Sequence, residues 1–269
     1  DIFYYLMIFI IGTVFGSFFT LAVYRIPLKK DITHERSFCP TCNHKLGFWD
    51  MIPVFSYILA KGKCRYCGEK IRIRYLILEV LSGTVFLIEY LALNMHFPTL
   101  EINKIAYFVS FVFLYVTIAI IAGIDKEHRK VHIGLILFGF IMQGLYILYL
   151  CVTAKSSMYR YGMYLCMMLI LCIVDTVSIK RFGQSKYVIQ CLMLCSYIGA
   201  VLGSELLLIT VVIALILIVL NSIYLRIKRN FNDKPDILQE NELPKTRIGF
   251  FLCVATIIIA ILETFVTYM

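Results

Sequence analysis

What constrains this chain most is the recurrence of uncharged apolar stretches near 20 residues long, the length at which a helix crosses the ~30 Å hydrocarbon core of a bilayer. Ile2–Tyr24, Ile105–Ile124, Val131–Ala154 and Leu206–Leu225 contain no Asp, Glu, Lys or Arg, and Tyr187–Ser204 is equally clean but slightly shorter. Three further spans accept acids: Tyr75–Leu100 holds Glu79 and Glu89, Tyr161–Ile179 holds Asp175, and Ile248–Met269 holds Glu263. Only 16% of the 269 residues are charged, against about a quarter in a soluble domain. A water-soluble globule, a disordered chain and a small disulfide scaffold are therefore excluded. Because lipid offers no hydrogen bonds, a spanning backbone must satisfy itself within helices. The expected fold class is an all-α polytopic membrane protein of about eight transmembrane helices, with a small cytosolic insert between helices 1 and 2. The first span reads as a retained helix, since no basic region precedes it and no small-residue cleavage site follows.

The formal net charge of +9 does not point to nucleic acid, because the basic residues sit between apolar spans, where they orient a membrane protein. Residues 25–74 hold 11 Lys and Arg, and the loops around 125–130, 180–186 and 226–247 hold a further 12. The opposite side has only Lys104, Lys155 and Arg160. The four basic connections are expected to face the cytosol, and both termini to lie outside. The chain divides into a first transmembrane helix at 1–26, an insert at 27–73 and a seven-helix membrane domain at 74–269.

The insert is too short to fold without a staple, and it carries one. Cys39 and Cys42, then Cys64 and Cys67, form two C-x2-C pairs 21 residues apart, the spacing of two knuckles closing a tetrahedral zinc site. Disulfides or free thiols are the alternative, disfavoured in a reducing compartment. Four thiolates leave no open coordination position, so the zinc is expected to be structural. Lys63 and Arg65 are expected to help keep the thiols ionised. His34 and His44 read as solvated loop residues. Cys151, Cys166, Cys172, Cys191, Cys195 and Cys253 lie in the spans, where cysteine packs as a small apolar residue. Gly12 with Gly16, and Gly199 with Gly203, have the spacing that lets helices approach closely; both pairs read as internal packing, with homodimerisation the weaker alternative and the oligomeric state open.

The stretch Glu35–Ser82, with Trp49-Asp50, Ile52-Pro53, Gly62, Cys64-Arg65 and Arg74-Tyr75 leading to Glu79, resembles the zinc-knuckle block of the type IV prepilin peptidases, which are membrane aspartic proteases. Gly12–Pro27 is similar to the family's first helix and Tyr-Arg-x-Pro exit, with Thr20 where Asn is usual. The family uses two aspartates at the cytosolic edge. Ile124-Asp125-Lys126-Glu127-His128-Arg129-Lys130-Val131-His132 fits the first motif, with His132 replacing a proline, so the resemblance gives the first catalytic role to Asp125. The second motif, Gly-x-Gly-Asp-x-Lys, falls on Arg181-Phe182-Gly183-Gln184-Ser185-Lys186, where Gln184 stands in place of the second aspartate.

Hydrolysis by a carboxylate pair needs one ionised acid to take a proton from water and one protonated acid to polarise the carbonyl. Glutamine cannot titrate near neutrality, although it keeps the shape and the hydrogen bonds. The chain therefore reads as an inactivated form of the enzyme. Asp175, nine residues before Gln184, reads as a solvated or Lys180-paired carboxylate rather than a replacement acid. Glu79 reads as a support of the bundle or substrate groove, Lys186 as a loop-orienting or lipid-contacting residue, and Glu89, Glu205 and Glu263 are assigned no role.

The resemblance implies an endopeptidase in the bacterial cytoplasmic membrane. It would cut the leader of type IV prepilins at the cytosolic face, with prepilins and membrane lipids as its partners. In many members it also implies N-methylation of the new terminus with S-adenosylmethionine. No Gly-rich cofactor loop announces that second activity. A non-catalytic adaptor that binds prepilin-like helices is the second reading, favoured by Gln184; a small transporter would leave the four cysteines unexplained.

Overall fold

A computed structural model of the chain describes residues 2–31, 37–95, 101–154, 158–182, 187–231 and 247–268. Among these the regular structure is helical: α1 (Ile2–Arg25), α2 (Phe55–Leu59), α3 (Arg74–Ala92), α4 (Ile102–His128), α5 (Ile133–Ala154), α6 (Tyr159–Phe182), α7 (Tyr187–Leu202), α8 (Ser204–Phe231) and α9 (Ile248–Tyr268). All but α2 and α7 are long and apolar enough to cross a membrane. With 16 residues, α7 is about 24 Å long, short of the hydrocarbon thickness.

Several boundaries depart from the charge-free windows, each for a local reason. Helix α3 stops at Ala92 rather than continuing to Leu100, because Asn94 turns the backbone left-handed at φ 49°. Helix α4 runs past Ile124 to His128, where Lys126 and His128 complement the negative end of the helix dipole. Gly203, at φ +90°, is the one residue between α7 and α8. It serves chain reversal, whereas Gly199 packs against Tyr164 and Leu207.

The chain forms two compact units, residues 1–123 with 261–269, and residues 124–260. In the first, α1 packs along α3 through residues with little or no side chain. A Cβ on Gly12 would lie 2.7 Å from the Ser82 carbonyl oxygen, and one on Gly16 would lie 2.7 Å from the Glu79 Cα. Beside this seam Phe15, Phe19, Phe86 and Tyr115 pack in tilted and edge-on pairs at ring separations of 5.5–5.7 Å, and the Ser82 and Tyr115 hydroxyls share a hydrogen bond of 3.1 Å. Glu89, assigned no role above, is fully buried: its Oε1 accepts the Thr264 hydroxyl at 2.8 Å, and Thr264 also bonds Tyr107 at 3.0 Å.

In the second unit α7 packs against α5, α6 and α8. Tyr197 is wholly buried against Phe140, ring to ring at 5.4 Å. The Tyr161 hydroxyl donates to the Phe140 carbonyl, and the Ser196 hydroxyl donates to the Tyr164 carbonyl at 2.7 Å. Asp175 is 1% exposed, so the solvated reading of that carboxylate is corrected: it is packed inside.

Candidate functional site

The insert holds two copies of one turn. Phe38 pairs with Lys45 and Lys63 with Lys70, so each feature of the first turn recurs 25 positions later. In the first, the Cys39 N–H donates to the His44 carbonyl and the Asn43 N–H to the Cys39 carbonyl; in the second, Cys64 donates to Glu69 and Gly68 to Cys64. Asn43 and Gly68 occupy the equivalent left-handed positions, at φ 56° and 73°. These folds bring the four sulfurs of Cys39, Cys42, Cys64 and Cys67 within 4.8 Å of one another. Cys39 Sγ and Cys67 Sγ are 3.9 Å apart; tetrahedral zinc with ~2.3 Å Zn–S bonds needs about 3.8 Å. The donor set and the geometry fit a four-thiolate metal centre, and the cysteines are not disulfide-bonded.

Backbone amides, rather than basic side chains, ionise the first thiol. The N–H groups of Cys42 and Thr41 hold Cys39 down to about 6. Cys67, despite the Glu69 N–H, is pushed up to about 12 by desolvation and by the hydrogen bonds it shares with Cys64, Cys42 and Cys39. Arg65, expected to serve the thiolates, instead pairs with Asp50 at 3.5 Å. Asp50 also accepts the Tyr66 hydroxyl at 3.0 Å and the Gly47 N–H at 3.1 Å, tying the turn at Phe48–Asp50 to the second knuckle. His44 stacks on Tyr66 at 3.6 Å; His34 lies outside the described residues.

A second tie joins the insert to α3. Val54 sits at φ 63°, ψ −53° and the Phe55 N–H donates to the Pro53 carbonyl, a strained γ-turn that β-branched residues rarely adopt. The Val54 N–H, turned away by this conformation, donates to Glu79 Oε2 at 2.8 Å, and the Ser17 hydroxyl bonds the same carboxyl.

In the second unit Asp125 lies in the last turn of α4 and is 0% exposed. Its Oδ2 accepts the Phe250 N–H at 2.7 Å and the Tyr187 hydroxyl at 3.0 Å, and the Gly249 N–H donates to the Tyr187 oxygen at 3.0 Å. Two of the unpaired amides at the start of α9 are thus satisfied by one carboxylate and one phenol, at the positive end of the helix dipole. Gly249 permits the approach, since a Cβ there would meet Asp125 Cγ at 3.1 Å. The other oxygen, Oδ1, is buried with no hydrogen-bond partner among the described residues. Arg129 lies over the Tyr187 ring at 5.1 Å and Lys126 over the Phe250 ring at 5.3 Å. Gln190, one turn along α7, accepts the Val131 N–H at 3.0 Å, fixing the segment after α4.

Gln184 and Lys186 lie outside the described residues. Tyr187, three positions after Gln184, has its hydroxyl on Asp125. Tyr187, Gln190 and the α9 amides carry none of the acid or thiol patterns by which a site shows in a sequence. The one available signal was a tyrosine following directly on the Gly183–Lys186 motif.

Residues 10–93 match the bacterial peptidase A24 N-terminal domain family. Over 85 residues the chain is 41% identical to a prepilin leader peptidase/N-methyltransferase of Vibrio cholerae, across 28% of this chain and 34% of that protein. It is 39% identical to the Bacillus subtilis protein of the same name, across 30% and 32%, and 38% identical to that of Myxococcus xanthus, across 29% and 24%. The matches thus span about a quarter to a third of these relatives. No solved structure matches the chain.

Proposed function

We propose, from the premise that residues 10–93 belong to the bacterial peptidase A24 N-terminal domain family, that this chain is a membrane protein of the prepilin leader peptidase kind. It receives type IV prepilins at the inner face of a bacterial cytoplasmic membrane, and with Gln184 in the second motif its aspartyl chemistry is switched off. Asp125 is the surviving acid. The observation that carries this reading is the buried Asp125 carboxylate, with Oδ2 held by Tyr187 and Phe250 and Oδ1 without a hydrogen-bond partner among the described residues.

A buried polar atom requires a partner, and in an aspartyl pair that partner is the second acid or the water between the two. Tyr187 follows Gln184 by three residues, which supports the second motif as the source of the missing group. An amide there can donate a hydrogen bond to Oδ1 and orient a peptide carbonyl. It cannot exchange the proton that water attack and amine departure require. Cys39, Cys42, Cys64 and Cys67 would hold zinc as a structural centre, whose chemistry is to fix the two knuckles together.

The test is cleavage of a purified prepilin in detergent by the chain as it stands, by Gln184→Asp and by Gln184→Asp/Asp125→Asn. Gln184→Asp is expected to raise cleavage by about 10²–10⁴-fold, the usual contribution of a positioned acid or base, and Asp125→Asn to abolish the gain. Cleavage by the unaltered chain equal to that of Gln184→Asp would overturn the inactivation. The relatives' second named activity, N-methyl transfer, would draw on S-adenosylmethionine, and transfer of a labelled methyl group to a pre-cut pilin tests it here.

A second reading, an adaptor that binds prepilin-like helices without cutting them, is favoured by the work Asp125 already does at the start of α9. If Gln184→Asp gains no cleavage while a prepilin still co-purifies, the adaptor reading replaces the first.

A further inference from the structure

The segment 48–59 places its apolar side chains outward. Neither the turn at Phe48–Asp50 nor α2 has a buried residue. Trp49 and Leu59 are each 71% exposed, and Phe48, Phe55 and Ile58 at least 60%. A surface this apolar on a small polar insert marks a contact, and its depth relative to the helices identifies the contact.

The Val54 N–H is bonded to Glu79, and the Glu79 Cα is level with Gly16 of α1, which it touches. From Gly16, α1 continues without a charge to Tyr24, another eight residues or about 12 Å of apolar helix. A glutamate side chain and one hydrogen bond, even leaning toward the start of α3, do not climb that far. With 24 residues, α1 is about 36 Å long and so only slightly exceeds the ~30 Å hydrocarbon core. Val54 and the start of α2 therefore lie below the outermost apolar turn of α1, at the depth where aromatic side chains bridge acyl chains and headgroups. Directly after α2 come Lys61, Lys63, Arg65, Lys70, Arg72 and Arg74, all exposed. An apolar wedge with a cationic collar complements an anionic leaflet.

We infer that residues 48–59 form an interfacial anchor, inserting Phe48, Trp49, Phe55, Ile58 and Leu59 at the headgroup–acyl boundary of an anionic lipid leaflet while the flanking Lys and Arg engage lipid phosphates. The anchor would hold the metal-binding knuckles at a fixed height over the membrane. The inference rests on the first compact unit alone and stands whether or not the chain cleaves a prepilin.

Trp49 is the single tryptophan of the chain, so its fluorescence reports on this segment. The whole protein is placed in nanodiscs of phosphatidylcholine with or without phosphatidylglycerol, with lipids brominated near the carbonyl as quenchers. Blue-shifted emission is expected, with quenching by brominated lipid to about half and acrylamide quenching about threefold below that of free tryptophan, as for an interfacial ring. Lipid quenching should be stronger with phosphatidylglycerol. Ile58→Glu and Leu59→Glu should each lower it by about twofold at unchanged metal content, which reports that the knuckles remain folded. Trp49 as open to acrylamide in nanodiscs as free tryptophan, and untouched by brominated lipid, would overturn the inference. So would shielding that arises only when a prepilin is added, which would make the patch a peptide-binding surface.

Discussion

Tyr187 and Asp125 share a 3.0 Å hydrogen bond in which the phenol donates to a carboxylate while accepting the Gly249 N–H. The pair closes the start of α9 as a cap closes a helix within one chain segment, except that the acid comes from α4 and the phenol from α7. Asp125→Ala should destabilise the protein by about 1–3 kcal/mol, the cost of stranding buried donors. Asp125→Asn keeps an acceptor oxygen and should lose less. Tyr187→Phe should fall between the two. Thermal unfolding in detergent measures all three; an unaltered midpoint for Asp125→Ala would show that the cap contributes nothing.

The seam between α1 and α3 allows a prediction of opposite signs. A side chain at Gly12 or Gly16 would meet backbone atoms of α3 at 2.7 Å, which cannot move aside as a flexible side chain can. Gly12→Val or Gly16→Val should cost about 1–3 kcal/mol, as overpacking does. Gly162 in α6 has nothing within 4 Å of its Cβ position, so Gly162→Ala should be neutral or stabilising by up to about 1 kcal/mol through helix propensity. The order of the thermal midpoints tests both.

Metal content checks the knuckles directly. The purified chain should carry about one zinc, and Cys39→Ser should lose it while the helices persist by circular dichroism. Limited proteolysis should then cut within 37–73, where the metal-loaded protein should resist. A metal-free chain equally resistant in that region would contradict the role of the four cysteines.

Acidity should act on the same centre. Cys39 is lowered from its ordinary 9.0 to about 6, so its contribution to the folded insert is complete above 9 and is lost as pH falls through 6. Cys67 is raised to about 12, and its contribution runs the other way, present below 9 and lost as pH rises through 12. At neutral pH the metal-free insert holds Cys39 ionised and Cys67 protonated, so loading zinc must expel protons. Titration calorimetry in two buffers of different ionisation enthalpy should reveal that release, and zinc affinity should fall as pH drops from 8 to about 6.

Sequence legibility followed the physics of each element. Helices in lipid are announced by length and absence of charge, and all eight apolar spans exist as helices. Their ends are less visible, because Asn94, Gly203 and the cations after Asp125 act through backbone geometry and dipoles that a charge-free window ignores. The four thiols were readable because a metal centre needs those residue types at that spacing. The surroundings of Asp125 were not: its carboxylate bonds one main-chain amide, which every residue but proline carries, and a tyrosine, itself bonded to a second amide, that no pattern of acids would single out. Arg65 was misassigned to the thiolates because proximity in sequence outweighed the pull of Asp50, which is distant in the chain and near in space.

The doubled knuckle has a consequence for synthesis. Each half supplies two sulfurs, so a four-thiolate centre cannot close until Cys67 has left the ribosome. By then α1 is already made, while α3, beginning at Arg74, is next to emerge. Capture of a metal ion by these four thiols would therefore be timed to the moment when the growing chain must turn back toward the bilayer.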